Sequence, residues 1–220
     1  MRTGVSLKEK LLSLIFPARC TLCGKITAGG RRVCNSCMKH NPPQAHFRLL
    51  EEPEFSLFCV SAYEYEGQAR QAILQYKFRG KKEKATGFAQ ALTLALPPRW
   101  QTADVVCWVP VSHQRRRERG YDQSELVARK VAKAIGRPCR KLLQKVVDNQ
   151  PQHELNADQR WENVRNVYLA DNKQCQGKTI LLIDDIVTTG ATMLECASCL
   201  LRAGAKEVFC GAIAESLLDI

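Results

Sequence analysis

The feature that most constrains the fold is residues 180–192, which read ILLIDDIVTTGAT. The four leading apolar residues are typical of a strand that is buried on both faces, as strands of parallel sheets are. Two carboxylates, Asp184 and Asp185, come next, followed by a tight turn and by a stretch of helical composition over residues 193–203. The run therefore predicts a strand, a turn and a helix amino terminus, which is where open α/β sheets bind ligands.

The predicted turn has the chemistry of an anion-binding site. Successive backbone N–H groups and the helix dipole attract negative charge, and threonine hydroxyls add neutral donors. Gly190 lets the backbone approach an anion closely, since it has no side chain. A ribose phosphate fits this description, with its phosphate in the turn and its hydroxyls facing the aspartates.

The same residues resemble the 5-phosphoribosyl-1-diphosphate (PRPP) signature of the type I phosphoribosyltransferases. The resemblance implies that Asp184 and Asp185 are catalytic and face the ribose hydroxyls. It also implies that the 5-phosphate contacts the turn, whose residues are Thr188, Thr189, Gly190, Ala191 and Thr192. An ordinary buried strand with a polar cap is the alternative, and the adjacent acidic pair disfavours it.

The eleven cysteines argue against a disulfide framework, because their number is odd and no export signal is evident. Four of them form two CxxC pairs, ten residues apart: Cys20, Cys23, Cys34 and Cys37. Such pairs supply four thiolates to one tetrahedral Zn²⁺, which leaves no open position, so the zinc would be structural. Cys196 and Cys199 form another pair within the helix after the turn, where we expect two buried helical cysteines.

Composition and charge limit the possible classes of protein. No apolar run approaches the roughly 18 residues of a membrane span. The short apolar run of residues 11–16 lacks a signal-peptide cleavage site, so we expect a cytoplasmic protein without membrane insertion. The net charge of +11 divides into +8 for residues 1–50, +1 for 51–100, +6 for 101–150 and −4 for 151–220. The two basic regions suit polyanions, although a solvated surface is the alternative for the first of them.

A stiff Asn-Pro-Pro at residues 41–43 separates two predicted domains, residues 1–43 and 44–220. The first contains a short amphipathic helix over residues 5–16 and the cysteine pairs. In the second, strands are predicted at residues 58–65, 105–111, 178–183 and 207–214, and helices at 68–76, 86–96, 123–135 and 191–203. Residues 141–147 read as either a short strand or a helical turn, and residues 150–166 resist assignment. The alternation implies an α/β fold with a parallel sheet and flanking helices.

A phosphoribosyl donor requires more than one anion-binding loop, because its 5-phosphate and its diphosphate lie at opposite ends. Residues 112–123 supply a basic turn between a strand and a helix, which places Arg115, Arg117 and Arg119 at the carboxyl edge of the sheet. Guanidinium groups bind phosphate oxygens bidentately. Lys77 begins a second basic loop, residues 77–82. Either loop could instead contact a nucleic-acid backbone.

The chain as a whole resembles the ComF/GntX family, which is linked to competence and to DNA uptake or utilisation. The matching motifs are Phe16-Pro17 with the four paired cysteines, Lys77-x2-Gly80, Val109-Pro110-Val111 with Arg117-Glu118-Arg119-Gly120, and Gln152-x2-Leu155-x4-Arg160-x2-Asn163 closed by Tyr168. The resemblance implies a type I phosphoribosyltransferase-like fold with a small amino-terminal zinc knuckle. It also implies that the last motif is a variable hood that covers the substrate.

The chain departs from these patterns at a few positions. Ser112 stands where a second proline is usual, Tyr121 replaces phenylalanine, and Asp122 replaces asparagine, which adds a carboxylate beside the expected diphosphate site. In the purine-salvage branch of the type I enzymes, an aspartate opens the phosphate turn and acts as a general base. Thr188 stands there in this chain and cannot do acid–base chemistry near neutral pH, so simple purine salvage is disfavoured.

Two functions remain open. The first is a PRPP-dependent transferase of nucleic-acid salvage. In it a nucleobase or similar nucleophile attacks C1′ while diphosphate leaves with Mg²⁺, and Asp184 and Asp185 stabilise the developing charge. The second is a non-enzymatic accessory protein of DNA uptake that binds ribose phosphate or single-stranded DNA and works with DNA-uptake proteins. The acidic pair and the turn favour retained ligand binding, whereas the missing base and the basic regions favour the accessory role.

Overall fold

The structure is a computed structural model, and it describes residues 17–52, 55–146 and 167–216. The predicted helix over residues 5–16 and the predicted hood up to residue 166 lie outside these ranges. In the part of the chain that the structure describes, no helix combines the length and apolarity that crossing a membrane requires.

The centre of the fold is a mixed sheet. The strands of the chain are β1 (His46–Glu52), β2 (Phe55–Glu64), β3 (Val105–Trp108), β4 (Leu143–Lys145), β5 (Tyr168–Ala170), β6 (Thr179–Val187) and β7 (Glu207–Glu215). Five of them form one sheet in the order β1-β2-β7-β6-β3, and β4 pairs with β5 separately. β1 is antiparallel to β2, but the other neighbours in the large sheet are parallel. The predicted parallel α/β sheet is confirmed, and its carboxyl ends share one edge.

Helices cover both faces of the sheet. They are α1 (Asn35–His40), α2 (Gly67–Phe78), α3 (Lys84–Ala95), α4 (His113–Arg119), α5 (Gln123–Ala134), α6 (Asn172–Cys175) and α7 (Ala191–Arg202). Leu181 and Ile183 of β6 pack in the cluster that contains α2, α3 and α5. Ile180 and Leu182 pack in the other cluster, against α7. The apolar run is therefore buried on both faces, as its sequence predicts.

Several elements differ from the sequence-based expectation. β6 continues to Val187, because its pairing with β7 runs on to Val187 and Glu215, so Asp184 and Asp185 lie within the strand instead of after it. The predicted basic turn is the short helix α4, which begins at a Ser112 cap and ends at Gly120 with a φ of 73°. Strands β1 and β5 were not predicted. Residues 141–147 contain the short strand β4, one of the two structures that the sequence left open.

The cysteine segment packs directly against the larger domain. Cys20, Leu22 and Cys37 belong to the same buried cluster as the side chains of α2, α3 and α5. Gly87 of α3 makes this approach possible, since a Cβ there would lie 1.8 Å from Thr21 Oγ1. The predicted boundary at residue 43 falls between α1 and β1, but the two parts share one core.

Candidate functional site

The two aspartates of β6 lie at the carboxyl edge of the sheet beside a lysine of α2. Lys77 Nζ is 2.9 Å from Asp185 Oδ1, and both side chains are largely buried. Asp184 Oδ1 accepts hydrogen bonds from Ser124 Oγ at 2.9 Å and from the backbone N–H of Asp185 at 2.7 Å. The sequence predicted Lys77 in a loop, whereas it occupies the last turn of α2, where the helix fixes its position.

Asp184 holds its proton more tightly than an ordinary aspartate. Burial, reinforced by the neighbouring charge of Asp185, raises the pKa of Asp184 to about 7. The hydrogen bond from the Asp185 backbone, the Lys77 ammonium and the Ser124 hydroxyl oppose this rise without cancelling it. Carboxylates with raised pKa values are concentrated at functional sites, because a site that binds cations or charged ligands brings like charges together.

The predicted phosphate turn joins β6 to α7. Thr188, Thr189 and Gly190 form the turn, and Ala191 and Thr192 begin the helix, whose first N–H groups and dipole favour an anion. Gly190 has a φ of 89°, and a Cβ there would lie 2.6 Å from Leu50 Cδ2.

Arg48 of β1 supports this turn from the other side. Its Nη1 donates to the carbonyl of Thr188 and, at 3.4 Å, to that of Ser216. A guanidinium in this position fixes the turn and adds positive charge beside it. The arginine comes from an edge strand that the sequence did not predict.

The basic residues of α4 fall on two sides of the helix. Arg115 and Arg119 are half-buried and one turn apart, whereas Arg117 is exposed. Burial lowers the pKa of Arg119, and the carboxylate of Asp185 is the main influence that opposes this. Arg119 also lies over the Phe78 ring at 5.0 Å and donates to Gln123 Oε1 at 3.0 Å. Arg119 therefore lies between α2 and α5, beside the elements that carry Lys77 and Ser124, whereas the exposure of Arg117 distinguishes it from Arg115 and Arg119.

Gln123 contributes an unsatisfied donor next to this arginine. Its side chain is fully buried, and its Nε2 has no hydrogen-bond partner in the described chain. Buried amide donors are rarely left unpaired, because the lost hydration costs about 1–3 kcal/mol. Such a donor beside a half-buried guanidinium is consistent with a site for an anionic ligand.

The three departures from the family pattern each make a hydrogen bond. Ser112 Oγ accepts from the N–H of Arg115 at 3.2 Å and caps α4. The Tyr121 hydroxyl donates to the carbonyl of Tyr76 in α2. Asp122 caps α5 through the N–H of Glu125 at 3.0 Å and accepts from the N–H of Val111 at 3.2 Å. The Asp122 carboxylate is thus held by backbone donors.

The four paired cysteines come together as a set of four sulfur donors. Their sulfur atoms all lie within 4.8 Å of one another, and Cys23 Sγ is 3.7 Å from Cys34 Sγ. Four thiolates at the usual Zn–S distance would be about 3.8 Å apart, so the residues fit Zn²⁺. Burial alone would raise the pKa of the Cys20 thiol, but hydrogen bonds that include the backbone of Cys23 and Cys34 outweigh it and lower the pKa to about 6. Elsewhere in the described ranges, no other cluster of metal-binding side chains occurs, and Cys196 and Cys199 are buried in α7.

Comparison with known proteins assigns a known domain family to each of the two parts of the chain. The family model of the phosphoribosyl transferase domain matches residues 122–217, and that of the double zinc ribbon domain matches residues 11–47. A DNA utilization protein YhgH from Salmonella typhimurium is 30% identical over 202 residues, which cover 86% of each chain. The chain belongs to the YhgH and ComF family. Within that family, Competence protein ComFC of Bacillus subtilis is 27% identical over 186 residues, which cover 84% of this chain and 72% of ComFC.

Among solved structures, a glutamine PRPP amidotransferase from B. subtilis, complexed with ADP and GMP, is 27% identical, with a TM-score of 0.40. The match covers 61% of this chain and 26% of that one.

The segment that matches the double zinc ribbon contains four cysteines, enough for one zinc ion rather than two.

Sequence reasoning missed three residues of the site: Arg48, Ser124 and Gln123. Ser124 follows the Asp122 cap, where a serine reads as part of a helix start. Arg48 is one arginine among many in a basic segment. No local pattern distinguishes Arg48 and Ser124, because their contacts depend on how the strands are ordered in the sheet.

Proposed function

We propose that this protein binds PRPP or a ribose phosphate at the carboxyl edge of its sheet and acts, as a phosphoribosyltransferase-like member of the YhgH and ComF family, in the uptake or utilisation of DNA. The observation that carries the proposal is the cluster of Asp184, Asp185, Lys77 and Arg119 beside the turn before α7. Cationic groups that can bind phosphate and carboxylates that can bind hydroxyls lie together there, at the ends of the adjacent parallel strands β3 and β6.

The arrangement suits a ligand with two charged ends. The 5-phosphate would bind the turn of Thr188 to Thr192, and the aspartates would face the ribose hydroxyls. Arg119, Arg115 and Lys77 would bind the diphosphate, with the free amide donor of Gln123 beside them. Arg117 was also predicted as a ligand contact, but we propose that it makes none, because it is exposed, and it therefore serves as the control.

Magnesium would enter this site with the diphosphate, since carboxylate and phosphate oxygens are its preferred donors. When bound, Mg²⁺ would neutralise the leaving diphosphate. The chain's own contribution to a transfer reaction would be electrostatic: Asp184 and Asp185 would stabilise positive charge on the ribose as the bond from C1′ to the diphosphate breaks and the nucleophile bonds to C1′. Thr188 supplies no base, so the nucleophile must lose its proton elsewhere.

Isothermal titration of the zinc-loaded full chain tests the site. PRPP is titrated with and without Mg²⁺, and ribose 5-phosphate is titrated in parallel. Arg119→Gln should weaken PRPP binding about tenfold or more, since one charged hydrogen bond contributes about 1.5–3 kcal/mol. It should change ribose 5-phosphate binding much less. Arg117→Gln, on the exposed side of the same helix, should bind both ligands like the wild type.

Two results would contradict this assignment. Absence of any PRPP binding at millimolar concentration would remove the small-molecule function. Equal losses in Arg119→Gln and Arg117→Gln would show that the general charge of α4, rather than one aligned guanidinium, attracts the ligand.

A second candidate, single-stranded DNA binding, is favoured by a separate basic surface. His113, Arg116, Lys141 and Lys145 line one concavity with Trp108. Arg129 lies over the Trp108 ring at 5.4 Å. A groove lined by several cations is typical of surfaces that follow a nucleic-acid backbone, although Trp108 itself is only 4% exposed and offers no face on which a base could stack.

Fluorescence anisotropy with labelled single-stranded DNA tests this candidate. Log affinity should fall linearly with log salt, by about 0.7 per phosphate neutralised, and Lys141→Ala should lower that slope. Competition by PRPP with Mg²⁺ then separates the surfaces. Displacement places the DNA over Arg115 and Arg119, on the side of α4 where we propose that PRPP binds. No displacement places it on the Trp108 surface or on the knuckle around Arg31, Arg32 and Lys39. Negligible affinity at low salt would leave only the small-molecule function.

A further inference from the structure

Lys84, the first residue of α3, is a buried cation without a carboxylate partner in the described chain. Its side chain belongs to a residue that is 5% exposed, and its ammonium donates to the carbonyl of Thr21, between the zinc ligands Cys20 and Cys23. The adjacent Glu83 is exposed, and Lys81 opposes its influence. A buried ammonium costs several kcal/mol unless an opposite charge lies close to it.

The zinc centre supplies such a charge. Four thiolates on a divalent cation carry a net charge of −2. Burial lowers the pKa of Lys84, and the sulfur of Cys20 is the strongest influence that opposes this effect. The knuckle therefore has a surplus of negative charge at the place where α3 presents its one buried cation.

Gln68 of α2 reaches the same centre from a second side. Its Oε1 is 3.1 Å from Cys37 Sγ, and it also accepts from Asn41 Nδ2 at 3.5 Å. A zinc-bound sulfur has lost its proton and can only accept hydrogen bonds. In the zinc-loaded protein the amide of Gln68 must therefore turn and donate through its Nε2, because the two ends of an amide differ only in their hydrogen-bonding role.

We propose that Lys84 and Gln68 form the outer coordination sphere of the zinc centre and that, through them, the zinc ion fastens the knuckle to α2 and α3. Lys84 balances the surplus charge, and Gln68 donates to the Cys37 thiolate. Both are positioning residues, since neither reaches the metal. The proposal is independent of PRPP or DNA binding.

The rate of zinc release from the full-length, zinc-loaded chain tests the role of Lys84. Zinc that leaves is captured by a chromophoric chelator and measured by its absorbance. Lys84→Met, which keeps the length of the side chain but removes its charge, should release zinc about tenfold faster or more, as other outer-sphere substitutions weaken metal binding. Lys84→Arg, which keeps the charge, should release zinc at close to the wild-type rate. Lys81→Met, at an exposed lysine, should release it at the wild-type rate.

Substitutions at Gln68 test its contact with Cys37. The fold should tolerate them, because Gln68 is exposed. Gln68→Leu removes the donor, and Gln68→Glu places a like charge against the thiolate, so zinc release should rise from wild type to Gln68→Leu to Gln68→Glu. The exposed Gln71→Leu on the same helix is the matched control. In the Co²⁺-substituted protein, the thiolate-to-metal charge-transfer band should shift in the Gln68 variants but not in Gln71→Leu.

Wild-type release rates in both Lys84→Met and Gln68→Glu would overturn the proposal. If Lys84→Met does not yield folded protein, the order of the Gln68 variants and the position of the cobalt band decide it. An unchanged band together with unchanged release would show that Gln68 does not donate to the metal-bound sulfur.

Discussion

Replacing Asp184 by asparagine should stabilise the protein while it damages the ligand site. The pKa of Asp184 is raised from 3.8 to about 7, which means that burial and the charge of Asp185 disfavour the ionised carboxylate. An upward shift of this size corresponds to about 4 kcal/mol of destabilisation when the group is charged. Because the residue is half-buried and solvent screens it in part, we expect about 1–3 kcal/mol.

The pH dependence of this effect has a definite sign. The folded protein binds the Asp184 proton more tightly than the unfolded chain, so the contribution to stability is fully present below about pH 4 and is lost as pH rises through about 7. Asp184→Asn removes that titration but keeps an oxygen that accepts from Ser124 and from the Asp185 N–H. The variant should match the wild type near pH 4 and exceed its stability at pH 8.

Urea unfolding at several pH values measures the difference. The buffer contains neither Mg²⁺ nor a chelator, because a chelator would remove zinc. Asp185→Asn is the matched control: it leaves Lys77 without its 2.9 Å partner, so it should not stabilise the protein. A stability gain in Asp184→Asn that is absent at pH 8, or that is equal at pH 4 and pH 8, would refute the reasoning.

Two further predictions concern the knuckle and the turn. The purified protein should contain about one zinc ion per chain. The Cys20→Ser, Cys34→Ser double variant should contain none, and its amino-terminal segment should become sensitive to proteolysis. Metal analysis and limited digestion check these outcomes, and undiminished zinc in the double variant would contradict the site. Gly190→Ala should destabilise the fold by about 2–4 kcal/mol, because the residue has a φ of 89° and its Cβ would overlap Leu50. Leu50→Ala should reduce that loss in a double-mutant cycle, and independent losses would contradict the clash.

The sequence predicts those parts of the site in which the informative residues are neighbours in the chain. Short patterns define the strand, turn and helix of residues 180–192 and the two CxxC pairs. The structure confirms the strand–turn–helix unit and brings the four cysteines together. The strand was predicted too short because polar residues normally end a buried run, whereas Asp184 and Asp185 remain paired with β7. The helix α4 was missed because it contains no apolar residue that would show a helical period.

The parts that sequence reasoning did not find are contacts between distant segments. Arg48 reaches the carbonyl of Thr188 across 140 positions, and Ser124 reaches Asp184 across 60. Such pairs depend on the order of strands in the sheet, which places β1 at one edge and β3 at the other. A pattern within one segment has no information about that order, so Arg48 and Ser124 could be recognised only after the sheet was known.

Helix α2 joins the zinc knuckle to the candidate ligand site. Its first turn carries Gln68, which contacts Cys37, and about 14 Å further along, its last turn carries Lys77, which pairs with Asp185. Between these ends, Tyr76 donates to the carbonyl of Gln123 at 2.8 Å, at the start of α5. One helix therefore contacts the zinc knuckle at its first turn and the acidic pair and α5 at its last turn. The zinc segment thus packs into the core of the larger domain and contacts the same helix that carries Lys77.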